Sequence, residues 1–170
     1  MLDGILYLLK NRLRNYIMSK IILYTDGSSR GNPGPGGYGA ILMSGTHRKE
    51  LSQGFRLTTN NRMELMAVIA GLEAIKKNEL PITVYSDSQY VVNAIEKGWL
   101  KNWIKTDFKG GKKNKDLWKH YHELAKNFTI KFVWVKGHAD NPHNNRCDEL
   151  ATSAAADKVQ LTDKGYEESL

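Results

Sequence analysis

Apolar and polar positions along the 170-residue chain mark out short strands and longer helices in a definite order. KIILYTD (20–26) is a mostly apolar run and reads as a buried strand. GYGAILMS (37–44) follows a Gly/Pro turn, and LSQGFRLTT (51–59) follows GTHRKE. Gaps this short join antiparallel neighbours. NNRMELMAVIAGLEAIKK (60–77) places Leu65, Val68, Ile69, Leu72 and Ile75 on one helical face. Pro81 punctuates, ITVYSD (82–87) is a fourth strand, and SQYVVNAIEKGW (88–99) opens a second helix. DLWKHYHELAKN (116–127) is a third helix, IKFVWV (130–135) a fifth strand, and NRCDELATSAAA (145–156) a last helix. The first three strands form a meander. The fourth and fifth arrive through helical crossovers and should run parallel to the first. The pattern predicts an α/β (mixed α+β) domain: a five-stranded mixed sheet, antiparallel meander plus two parallel strands, flanked by helices.

That domain spans 20–157. Residues 1–19 form an N-terminal extension, disordered or a short helix, with Leu2, Leu6, Leu9, Leu13 and Ile17 at helical spacing. Its Lys10, Arg12 and Arg14 follow most of the apolar part, opposite to the order in a secretory signal. Residues 158–170 read as a polar, peripheral tail.

Formal net charge is +7, which admits a polyanionic partner without identifying one. Cys147 is the one cysteine, so an intrachain disulfide and a multi-thiolate zinc site are both excluded. A lone thiol fits a reducing compartment, hence a cytoplasmic location. No apolar run approaches the ~20 residues that span a bilayer, so no membrane partner is expected.

Four carboxylates carry the candidate chemistry. In open sheets, sites form at the carboxyl ends of strands where strand order reverses. If the fourth strand lies beside the first, Asp26 and Asp87 each end one of that pair and meet at a cleft edge. Close carboxylates repel, so their ionised forms require cations, and all-oxygen ligands favour Mg²⁺ or Mn²⁺ over zinc. Each residue also has a structural explanation. Asp26 fits an Asp-Gly turn, and Asp87 fits a helix N-cap. Asn61 and Glu64 have capping-box spacing, and Asp148 sits near the start of a helix, where its charge suits the dipole.

The flanking strings narrow the choice. YTDGSSRGNPGPGGYGA, TTNNRMELMA, SDSQYV and WVKGHADNPHNNRCDELA together resemble type 1 ribonuclease H of the bacterial kind, from about Ile21 to Ala156. The resemblance implies a ribonuclease H-like fold and endonucleolytic cleavage of the RNA strand in an RNA/DNA hybrid, leaving 5′-phosphate and 3′-hydroxyl ends. It implies metal ligation by Asp26, Glu64, Asp87 and Asp148, and makes His138 a mobile catalytic histidine. Two Mg²⁺ ions (or Mn²⁺) per site would be held ~4 Å apart, with Asp26 bridging them. Asn32, Asn60, Asn61 and Gln89 resemble minor-groove contacts, suited to a 2′-hydroxyl that donates and accepts. Thr59 resembles a hydroxyl of a DNA phosphate pocket. The glycines after Asp26 are read as letting backbone approach the nucleic acid.

Residues 97–119 hold eight lysines against two aspartates, and three of the four tryptophans. The segment looks like a basic, hybrid-gripping protrusion, shorter than in the best-known bacterial pattern. Lysines such as Lys112, Lys113 and Lys115 neutralise phosphates, and aromatics pack on sugars or bases. Trp99 and Trp103 share a helical face as candidate contacts, while Trp118 reads as core. The rival readings are an integrase-like nuclease and a non-catalytic hybrid-binding module. The amides beside the acids oppose the first, and the presence of all four acids opposes the second. A monomer with no obligate protein partner is expected.

Overall fold

The computed structural model describes residues 2–18, 20–76, 80–137 and 140–170. Its elements are α1 (Leu2–Met18), β1 (Ile21–Ser29), β2 (Gly34–Ser44), β3 (His47–Thr58), α2 (Asn60–Glu73) and β4 (Ile82–Ser86). They continue as α3 (Gln89–Glu96), α4 (Trp99–Lys105), α5 (Lys115–Ala125), β5 (Ile130–Trp134), α6 (Pro142–Ala156) and α7 (Lys164–Glu167). The five strands form one sheet in the order β3-β2-β1-β4-β5. β1–β2 and β2–β3 are antiparallel, whereas β1–β4 and β4–β5 are parallel. The mixed sheet expected from the hydrophobic pattern is present, and strand order reverses between β1 and β4.

Helices cover both faces of the sheet. α2 packs on β1, β2 and β3 with Leu65, Val68 and Leu72 fully buried, as their spacing predicts. α6 covers β1, β2 and β3 from the other side. It lies unusually close: a Cβ on Gly39 would stand 2.2 Å from the Cys147 carbonyl oxygen, so the strand must present bare backbone there. Trp118 of α5 is fully buried and its indole N–H donates to the Tyr90 hydroxyl at 2.7 Å. Its assignment to the core is correct.

α1 is a helix, one of the two forms expected for the N-terminal extension, and its Ile5, Leu6, Leu9 and Leu13 are exposed. The C-terminal tail is not peripheral. Leu161 exchanges backbone hydrogen bonds with Gly54 and Arg56 of β3, both at 2.9 Å. Asp163 is 2% exposed and accepts from Arg62 Nε at 2.7 Å, from Arg62 Nη2 at 2.8 Å and from the Thr58 hydroxyl at 2.6 Å. Asp116 takes the remaining side of the same guanidinium at 2.7 and 2.9 Å. The physical reason is charge. Arg62 is itself buried, and a buried cation must be paired and hydrogen-bonded.

Removing one partner from a buried ion pair leaves the other uncompensated. Asp163→Ala is therefore expected to lower unfolding free energy by about 3–5 kcal/mol in urea titrations. A loss below about 1 kcal/mol would show that Asp116 alone satisfies Arg62.

Candidate active site

Parallel register brings the first two acids together. Thr25 of β1 pairs with Ser86 of β4, so Asp26 and Asp87 are each the next residue on adjacent strands. Glu64 comes from the first turn and a half of α2. Its approach is permitted by Gly27: a Cβ there would lie 2.2 Å from the Glu64 backbone nitrogen. One carboxylate oxygen from each of Asp26, Glu64 and Asp87 falls within 4.8 Å of the others. Asp148 of α6 lies outside that tightest group but lines the same open cleft of ≈ 490 Å³, with Asn60, Asn61 and Gln89.

The structural alternatives for these acids do not hold. Thr59, not Asn61, is the N-cap of α2, accepting from the Arg62 N–H at 3.4 Å. Glu64 is thus released from capping. Ser88, not Asp87, caps α3 by accepting from the Val91 N–H at 3.3 Å. α6 begins at Pro142 with Asn141 as its cap, which puts Asp148 well past the first turn where the dipole acts. Asp26 accepts from the Gly27 N–H at 2.7 Å, but both residues lie inside β1, paired with Gly39 and Tyr38 of β2, so Asp26 is not in a turn.

Electrostatics make the cluster unfavourable without a counter-ion. Burial, then the charge of Asp87, push the Asp26 carboxyl up to about 7, against the Gly27 hydrogen bond, while Asp148 adds to the rise. Burial, then Asp26 and Asp87, raise Glu64 well above the ordinary carboxylate range. Glu64 Oε2 is buried with no hydrogen-bond partner. An orphaned carboxylate oxygen beside two further acids is a donor set of the right kind for a hard divalent cation.

The remaining residues from the sequence fall in two neighbouring regions. Asn32 accepts from the Asn60 N–H at 3.2 Å and so ties the Gly/Pro loop to the start of α2. Asn32, Thr59, Asn61, Trp99, Trp103, Lys112 and Lys113 line a second hollow of ≈ 460 Å³. The Trp99 and Trp103 rings are 6.4 Å apart, and Lys112 Nζ stands 5.8 Å from the Trp103 ring centre. Lys115, Lys119 and Asp107 form surface ion pairs at 2.9 and 3.1 Å, so Lys115 is partly engaged by the protein itself. His138 lies outside the described residues. Among the lining residues that the sequence did not single out are two tyrosines. Tyr90 borders both the acidic cleft and the tryptophan hollow, and Tyr166 reaches the hollow from the tail. Tyr90 falls directly after the Asp87–Gln89 string and was accessible to inspection. Tyr166 carries no local signal.

A five-stranded sheet in this order, with acids gathered at its switch point, defines a ribonuclease H-like α/β protein. Comparison with known proteins narrows this. A family model described as RNase H matches residues 18–156. The chain is 53% identical over 151 residues to a ribonuclease H of Syntrophus aciditrophicus, covering 86% of this chain and 87% of that one. It is 53% identical over 149 residues to a ribonuclease H of Desulforamulus reducens, covering 85% and 93%. Among solved structures it is similar to LC9-RNase H1, a type 1 RNase H with the type 2 active-site motif. That match has 29% identity and a TM-score of 0.75, over 89% of this chain and 81% of that one. It is also similar to LC11-RNase H1 in complex with RNA/DNA hybrid, at 27% identity and TM-score 0.61, over 81% and 97%. The chain belongs to the ribonuclease H family, in its type 1 branch, and is accordingly a hydrolase.

The raised carboxyls fix the sign of a stability effect. Asp26 binds its proton more tightly folded than unfolded, so without metal its contribution favours the fold at low pH and is lost as pH rises from about 4 to about 7. Asp26→Asn in EDTA should therefore stabilise the protein at pH 8 by on the order of 2 kcal/mol, or about 4–8 °C in Tm. The gain should shrink steadily as pH falls below 7 and vanish only near pH 4, below which the wild-type carboxyl is protonated in both the folded and the unfolded chain. A Tm difference independent of pH would mean that repulsion is not its source.

Proposed function

We propose that the chain cuts the RNA strand of an RNA/DNA hybrid internally, using two divalent ions, and leaves 5′-phosphate and 3′-hydroxyl ends. The observation that carries this reading is the convergence of Asp26, Glu64 and Asp87 within 4.8 Å, with one buried Glu64 oxygen unpartnered. The similar LC11-RNase H1 structure, solved with an RNA/DNA hybrid, supports the substrate class.

Asp26, Glu64, Asp87 and Asp148 would hold the ions, Mg²⁺ or Mn²⁺. Bound there, such ions neutralise developing charge on the phosphate and lower the pKa of an attacking water. The chain's own residues do the rest. By family resemblance Asp26 would serve both ions, Asp148 would help hold the ion that activates water, and Glu64 and Asp87 would hold the other. Hydrolysis forms one P–O bond from water and breaks the P–O3′ bond, so the 3′-oxygen must gain a proton. His138, in KGHADN, is the residue assigned by family resemblance to move a proton or help product leave. Asn60, Asn61 and Gln89 beside the acids offer amide donors and acceptors to a 2′-hydroxyl, the group that distinguishes RNA from DNA. Lys112 and Lys113 with Trp99 and Trp103 supply charge and flat apolar surface for the duplex backbone.

The test is cleavage of one labelled RNA as hybrid, as duplex RNA and as single strand, with Mg²⁺ or EDTA. Hybrid-only, metal-dependent cutting that Asp26→Asn abolishes while binding persists is the expected result. Hybrid binding without cutting would make the protein a binding module instead, and cutting that survives EDTA would refute the metal site. His138→Ala should slow turnover without ending it, as single-turnover rates would show. Replacing Lys112 and Lys113 by Gln should raise KM and lower the slope of log KM against log salt by about 1–2 units. An unchanged slope would remove them from the interface.

A further inference from the structure

Two hollows adjoin on the face that carries the basic segment. The first, ≈ 460 Å³, is the tryptophan hollow assigned above to the duplex. The second, ≈ 740 Å³, lies between the start of α5 and the C-terminal tail. They share Lys112, Lys113, Asn114 and Tyr166, so Tyr166 stands on the border between them. The second hollow is lined by Lys112, Lys113, Lys115 and Lys119, of which Lys115 and Lys119 share Asp107 at the surface, and the acid that lines it, Asp116, is engaged by Arg62.

Tyr166, four residues before Leu170, sits in a short helix that is tied down on both sides. Asp163 caps α7 by accepting from the Tyr166 N–H at 3.3 Å. The same carboxylate is buried against Arg62 and Thr58. Glu167 is clamped by Arg56 at 2.6 and 2.9 Å. A ring fixed in advance loses little freedom when a ligand lies on it, and tyrosine offers a sugar an apolar face and a phosphate a hydroxyl.

We propose that Tyr166 contacts the sugar-phosphate backbone of the hybrid, and that the bound duplex continues from the Trp99–Trp103 groove across Tyr166 into the second basic hollow. The C-terminal turn is then part of the binding surface. This rests on the reading that the tryptophan groove holds the hybrid. The competing role for the ring is structural: the Arg62 guanidinium carbon lies 6.0 Å from its centre, so Tyr166 could serve only to cover that buried cation.

The experiment measures hybrid affinity by fluorescence anisotropy in EDTA, using the full chain, for wild type, Tyr166→Ala, Tyr166→Leu and Trp103→Ala. Leucine keeps apolar cover over Arg62 but removes the aromatic face and the hydroxyl, so it decides the matter if the alanine variant fails to fold. Both Tyr166 variants should weaken binding about 5- to 10-fold on a hybrid long enough to reach the second hollow. The effect should vanish on a hybrid trimmed to end in the tryptophan groove. In Mg²⁺, the rise in KM should exceed any fall in kcat. Unchanged affinity for the Tyr166 variants while Trp103→Ala binds weakly would overturn the proposal and leave the groove intact, and a lowered Tm beside it would assign Tyr166 to covering Arg62. If Trp103→Ala also binds normally, the groove reading itself fails. A loss equal on both hybrid lengths would place Tyr166 within the first groove and refute the extended path.

Discussion

Repulsion among buried carboxylates is the constraint around which the rest of this structure is arranged. Parallel pairing of β1 with β4 forces Asp26 and Asp87 side by side, and α2 delivers Glu64 to the same point. Among the described residues no Lys or Arg borders that cleft, and Glu64 Oε2 has no donor. Such a cluster destabilises the fold that creates it, and the cost must be offset elsewhere. The offset is visible in the sealed core beneath, where Leu23, Leu65, Val68, Leu72, Val84 and Trp118 are wholly excluded from water.

The start of α2 shows how sharply the protein separates its charges. Arg62 and Glu64 are two residues apart, yet they meet opposite environments. Arg62 has two carboxylates for one guanidinium, whereas Glu64 has two carboxylates and no cation. The first arrangement is complete within the chain and fastens the tail. The second is incomplete without an added ion. A site that must gain a ligand to be satisfied, beside a pair that already is, distinguishes a functional cluster from a structural one on physical grounds.

The sequence disclosed the sheet because the signals for it are local: alternating or continuous apolar runs, short turns, helical spacing. Its flanking strings singled out four acids, three of which the structure gathers within 4.8 Å of one another. It was less informative about reasons. Asn61–Glu64 spacing matched a capping box, but Thr59 takes the cap because the helix starts two residues earlier. The glycines after Asp26 were read as access for nucleic acid, yet Gly27 is demanded by α2 and Gly39 by α6. Those contacts join segments far apart in the chain and leave no periodicity. The tail was hidden for the same cause. Asp163 lies 101 residues from Arg62, in a stretch with too few apolar positions to announce that it docks.

Net charge of +7 and an acidic cleft are compatible because the two signs occupy adjoining regions rather than one. Tyr90 marks the boundary: it borders the acids on one side and the tryptophans and lysines on the other. Its hydroxyl accepts from Trp118 at 2.7 Å and from Asn114 at 3.0 Å, so the wall between the regions is tied to the core. A polyanion attracted by the lysines is therefore held next to carboxylates that would repel it. Adhesion comes from the basic side, and the phosphate backbone can enter the acidic side only where cations intervene. On the proposed reading, binding and cutting are separable on one surface, and the ion requirement of the cleft would be a requirement for the reaction rather than for adhesion.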